Sequence, residues 1–184
     1  DDFKNSSLKN NPELLLTINL GPCNKLYKRE IITNNNSKFI ENLKYEDTTF
    51  VCETINNAKS IGKLNEFLHY YVIHNNSETT VRDERIFDII KIVDIVRNYF
   101  KEKKYLKETV DKLTVSILTN YTIQQRNQAD KKVGMKFIDE AFAYLKKEIP
   151  DYKDNKYYEK RPILKRTIEK SKLLSKIYCK LYKR

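Results

Sequence analysis

Three glycines and four prolines in 184 residues leave this chain few places to turn sharply. Sandwiches and barrels need turn residues far more often than that. The shortage therefore points to helices joined by polar loops, an all-α compact helical bundle. With 40% hydrophobic residues the chain can bury a core, and 33% charged residues can coat it, in one domain spanning residues 1–184. No run of 18 apolar residues occurs, so no membrane span is expected. The start shows no apolar leader. It opens at Asp1 rather than at methionine, which leaves open a trimmed upstream segment.

Periodicity places the elements. Asn11-Pro12-Glu13 combines a capping side chain, a proline at the first helical position and an acid at the positive end of the dipole. A helix through Leu14–Leu20 should follow, stopped by Gly21-Pro22, then a short one over Pro22–Ile32. Two helical stretches are expected between Ser37 and Ala58. Leu64, Phe67, Leu68, Tyr71 and Val72 share a face at 3.6 spacing, which predicts another helix. Ile86–Phe100 is apolar around nearly its whole circumference and reads as the buried central helix. Tyr105–Leu118 is helical despite the β-prone Thr114–Ile117. Asp130 should cap a helix ending at Pro150, a polar loop covers Asp151–Lys160, and one last helix runs from Arg161-Pro162 to the C-terminus.

The halves read as a worn duplication, 37–100 and 103–184 around a shared core. Lys38-Phe39-Ile40 pairs with Lys104-Tyr105-Leu106, Val51-Cys52 with Ile117-Leu118, and Ile61-Gly62 with Val133-Gly134.

Catalytic arrangements are hard to find. Isolated glycines cannot build a phosphate-cradling loop or a dinucleotide fingerprint. Cys23, Cys52 and Cys179 form no CxxC pair, and neither His69 nor His74 stands at zinc spacing from a cysteine. The cysteines read as free thiols, and His69 as a packed histidine rather than a ligand. A helix-turn-helix over Thr54–Tyr71 would carry Lys63 and Glu66 on its reading helix, with little to recognise guanine or adenine. That segment reads as a packing corner. No enzyme activity, catalytic residue, metal site or cofactor is expected.

Charge is the positive signal. Residues 1–90 hold 11 Lys+Arg against 13 Asp+Glu, whereas 91–184 hold 25 against 12. Sign asymmetry of this kind suits a polyanion on one surface. From Lys160 to Arg184 ten cations face one acid, Glu169. On a continuous helix Lys165, Lys172, Lys176, Lys180 and Lys183 share a stripe about 80° wide. Arg166 and Lys170 flank it, and Lys160 and Arg161 extend it. Ile163, Leu174, Ile177, Tyr178 and Leu181 take the opposite side and should pack on the bundle. Tyr157 and Tyr158 are expected to stack on unpaired bases. RNA is the expected ligand and the cytoplasm the expected location. Phosphate added at Thr167, Ser171 or Ser175 would weaken the positive potential. Further cations at Lys101, Lys103, Lys104 and Lys107, and at Arg126, Lys131, Lys132 and Lys136, could widen the surface.

The segments Ser37–Ile73, Tyr105–Leu145 and Lys160–Arg184, in a chain rich in lysine, asparagine, isoleucine and tyrosine, resemble the early gametocyte phosphoproteins of the malaria parasite Plasmodium. The resemblance implies an all-helical pseudo-symmetric fold, a homodimer, RNA binding and a role in sexual-stage development. It also implies proline-rich motifs for SH3 domains, but Pro12, Pro22, Pro150 and Pro162 never form PxxP, so such a signalling partner gains no support. Two rival readings stay open. One is an exported or surface helical bundle that binds a host protein or glycosaminoglycan, and the other is a scaffold with no polyanion ligand.

Overall fold

The computed structural model describes residues 6–72 and 83–181. Its described residues form an all-α bundle, with helices α1 (Leu14–Thr17), α2 (Arg29–Asn34), α3 (Asp47–Asn57), α4 (Asp88–Phe100), α5 (Lys107–Gln124), α6 (Lys131–Glu148), α7 (Ile163–Glu169) and α8 (Lys172–Leu181). Short 3₁₀ turns at Glu84–Phe87, Lys104–Leu106, Gln125–Asn127, Tyr152–Asp154 and Lys156–Lys160 link them. No strand forms among the described residues, and a lone bridge joins Ser6 to Ile61.

The spine is an antiparallel pair, α4 and α5. Ile89, Ile92 and Val93 near the start of α4 meet Val115 and Leu118 late in α5. There they enter a core with Phe137, Ile138, Ala141, Phe142 and Leu145 of α6 and with Tyr158 and Cys179. Val96 and Phe100 near the end of α4 meet Val110 and Leu113 early in α5. There they join a second core with Leu8, Leu14, Leu15 and Phe50, Val51, Cys52 and Ile55 of α3. The two helices thus serve both cores at once. Across the spine Arg97 of α4 bonds the nearly buried Asp111 of α5 and donates to the Glu148 carbonyl of α6 at 3.2 Å. Lys107 closes on the same aspartate at 2.7 Å.

The centre is α5 rather than α4. Along α4 the pattern is amphipathic, with Lys91 and Asp94 exposed and Ile90 and Ile95 half-buried. In α5 the buried set includes Thr109, Thr114, Thr119 and Thr122. The Thr119 hydroxyl donates to the Val115 carbonyl and that of Thr122 to the Thr119 carbonyl, each at 2.7 Å. Hydroxyls satisfied within their own helix can be buried, so packing overrides the β-preference of Thr114–Ile117. Asp130 caps α6 as its position implies, accepting from the Lys132 amide at 2.8 Å, and the helix ends before Pro150.

Several expected helices shrink or vanish. The one over Leu14–Leu20 stops at Thr17, with Ile18 already extended. The Pro22–Ile32 helix is reduced to α2, and a single helix, α3, stands where two were expected between Ser37 and Ala58. The stretch from Leu64 to Val72 is not helical, and every residue in it is exposed, Phe67 fully so. Its apolar residues find no surface to bury, and an isolated helix of that length is marginal in water. The helix-turn-helix reading and the packed corner both fall with it. His69 is exposed, not packed, while His74 lies outside the described residues. The last helix is broken in two, as described below. Ile61-Gly62 and their expected counterparts Val133-Gly134 differ in secondary structure, only the latter pair being helical.

Cys52 and Cys179 are buried and Cys23 is exposed, all three free. Burial pushes the Cys52 thiol up to about 12 and that of Cys179 up to about 11. Since the thiolate is the reactive species, one thiol of three should titrate rapidly with a disulfide reagent in the native protein, and all three in guanidinium. Three fast thiols in the native state would contradict this packing.

Candidate functional site

The cation-rich segment begins with a capped turn. Asn155 accepts from the Tyr157 amide at 2.9 Å and opens the 3₁₀ turn ending at Lys160. Arg161 follows, and Pro162 leads into α7. At the far end of α7, Glu169 is fully buried. Arg161 donates from Nη2 to Glu169 Oε1 at 2.8 Å and to Asn120 Oδ1 of α5 at 3.0 Å. Lys165 reaches the same carboxylate at 3.8 Å. The lone acid between Lys160 and Leu181 is therefore an internal anchor, clamping α7 to α5.

The chain does not stay helical through Lys170 and Ser171. Ser171 donates its amide to the Ile168 carbonyl at 3.1 Å, and its hydroxyl accepts from the Leu174 amide at 3.3 Å, an N-cap for α8. The fully buried Ser175 ties its hydroxyl back to the Ile168 carbonyl at 2.9 Å. This break frees the rotational phase of α8 from that of α7.

The side of α8 that packs is not the expected apolar one. Small residues, Ser175 and Cys179, let α8 approach closely, and the Cys179 thiol donates to the Thr122 carbonyl at 3.3 Å. Lys176 and Lys172, on the same side, bond Asp139 of α6 at 2.6 and 3.2 Å. Leu174, Ile177 and Leu181, which are expected to pack, are exposed, and so is Leu173. On α7, Ile163 is likewise 74% exposed. Tyr178 alone of the expected packing set is half-buried, bonded to Arg126.

The remaining site residues divide. Lys160 and Lys180 are exposed, and Arg166 and Lys170 are half-buried. Lys170 holds its ammonium 4.9 Å from the Tyr158 ring centre, and the Arg161 guanidinium lies 5.0 Å over Tyr157. Tyr158 is only 2% exposed and Tyr157 is half-buried, so these rings are spent on the core rather than offered to bases. Burial raises the pKa of both phenols, with the Glu169 charge adding to it. Of the expected phosphorylation positions, Ser175 is enclosed, whereas Thr167 is exposed and Ser171 half-buried. Lys183 lies outside the described residues. Asp139 and Asn120 escaped the sequence reading because nothing local marks them as tethers. Glu169 was marked, as a single acid among ten cations.

Elsewhere, a half-open recess of about 380 Å³ is lined by Lys44, Tyr45, Asp47, Ile89, Ile117 and Tyr121, among others. Burial raises the Asp47 carboxyl above its usual range. No three His, Cys, Asp or Glu side chains come together as a metal-holding group among the described residues, and no helix there is long and apolar enough to cross a membrane. Comparison of the chain with protein-family models, curated proteins and solved structures finds no match.

The two anchors should differ in strength. Removing one partner of a buried ion pair strands the other, so Glu169→Ala should lower stability by about 3 kcal/mol or more in urea unfolding. Asp139→Ala, at a site 44% exposed and screened by solvent, should lower it by less than about 1 kcal/mol. Bonding to Lys176 and Lys172 lowers the Asp139 pKa. Its contribution is therefore present above the ordinary aspartate range and lost as pH falls through the lowered value. Equal losses for the two variants at neutral pH would contradict the assignment.

Proposed function

We propose that this chain is a non-catalytic RNA-binding protein of the cytoplasm, holding phosphates through the cation-rich surface of residues 160–181. The observation that carries this reading is a charge surplus that survives the ion pairing. Glu169 serves both Arg161 and Lys165, and Asp139 serves both Lys172 and Lys176. Each carboxylate leaves one positive charge over. Lys160, Arg166, Lys170 and Lys180 form no ion pair among the described residues. Tethered lysines that stay partly exposed, Lys165 at 41% and Lys172 at 55%, lose less side-chain freedom on meeting a phosphate.

With Tyr157 and Tyr158 committed inward, base stacking has little part in this reading. Binding is expected to follow charge and salt rather than sequence. The sexual-stage role implied by the resemblance depends on the same RNA reading.

Titration with single-stranded RNA at two salt concentrations tests it. The combined variant Lys160→Glu, Arg166→Glu, Lys180→Glu should bind at least tenfold more weakly. Loss of three phosphate contacts should flatten the salt slope by about 2. Unchanged affinity and slope would overturn the reading. Heparin binding with no RNA binding would favour the glycosaminoglycan rival instead.

A further inference from the structure

The outward face of α8 is apolar, and a polyanion gives it nothing to bury against. Leu173, Ile177 and Leu181 stand at i, i+4 and i+8, with Leu174 three residues before Ile177 and seven before Leu181. These spacings place all four on one continuous ridge. Their exposures are 67%, 41%, 79% and 36%, in the order Leu173, Ile177, Leu181, Leu174. The opposite face is already used, since Lys172, Ser175, Lys176 and Cys179 engage the bundle. Turning α8 to bury its leucines would therefore expose Cys179 and break both bonds to Asp139. A contiguous aliphatic ridge on an otherwise charged surface marks an interaction site.

We propose that this ridge docks an amphipathic helix whose apolar seam is flanked by acidic side chains. Two features select that occupant. The spacing of Leu174, Ile177 and Leu181 is that of a helical seam, in which knobs of one helix enter holes of another. The surroundings are cationic: Lys170, Lys172, Lys176 and Lys180 accompany the ridge, and no acid occurs between Lys170 and Leu181. Glutamates flanking a partner seam would meet these ammonium groups, whereas lysines there would be repelled. A second copy of this chain offering the same ridge would bring two such cationic rims together, and the chain carries a net charge of +11. The ridge therefore fits a partner of opposite charge better than its own copy.

The proposal shares its flanking cations with the RNA reading but adds the aliphatic ridge, and a variant confined to the ridge separates the two. The probe is a synthetic peptide of three heptads, with leucine at the core positions and glutamate at the flanking ones. A control peptide carries lysine at the flanks. Fluorescence anisotropy should show the acidic peptide binding at least tenfold more tightly than the basic one. The variant Leu174→Gln, Ile177→Gln changes two exposed positions without changing charge, and circular dichroism should show its helix content unaltered. It should bind the acidic peptide at least tenfold more weakly while binding RNA as the parent does. Acidic-peptide binding that is absent, or undiminished in the variant, would overturn the proposal. So would ridge-dependent binding to phosphatidylserine vesicles without binding to the peptide, which would assign the ridge to a lipid surface.

Discussion

One buried carboxylate organises the C-terminal third of this protein. Glu169 is fully enclosed and would be costly there without compensation. Arg161 supplies a two-pronged guanidinium contact that also reaches Asn120 on the central helix, and Lys165 adds a more distant charge. That arrangement fixes where α7 lies. The guanidinium in turn covers Tyr157, and Lys170 covers Tyr158, so the two rings close the core beneath the segment. A chain stretch that looks electrostatically self-repelling becomes an ordered part of the bundle through a single internal anion.

From that anchor the position of α8 follows. Ser171 caps a new helix, and Ser175 binds back to the end of α7. The small side chains of α8 then turn inward, Ser175 to α7 and Cys179 to α5, while Asp139 of α6 gathers two lysines. The same step that tethers cations pushes leucine and isoleucine outward. Tethered lysines and apolar ridge are thus two consequences of one choice of helix phase, and they form two chemically different surfaces on the same segment.

The fold class was legible in the sequence because glycine and proline scarcity and strong helical periodicity act over long stretches. Asp130 and Pro150 bounded α6 correctly because each acts locally, through a cap and a missing amide. Periodicity failed over Leu64–Val72, since an apolar stripe specifies a helix only where another surface receives it. It failed again in α8, where the larger apolar side faces out. There, close approach by Ser175 and Cys179, together with a bond to Asp139 far away in sequence, outweighed burial of leucine. The break at Ser171 had a readable sign, a serine able to cap, but no proline or glycine drew attention to it. The candidate cations were identifiable by type and density. Which of them would be tethered depended on Glu169, visible as an isolated acid, and on Asp139, which was not.

The central proposal is that a charge surplus held in place by Glu169 and Asp139 makes residues 160–181 an RNA-contacting surface. Backbone and lysine-ammonium chemical shifts recorded during a low-salt titration with single-stranded RNA test it most directly. The account predicts that perturbations concentrate on Lys160, Lys165, Arg166, Lys170, Lys172 and Lys180, with α2 and α3 unaffected. Perturbations centred on α2 and α3, with the lysines of α7 and α8 unmoved, would contradict it.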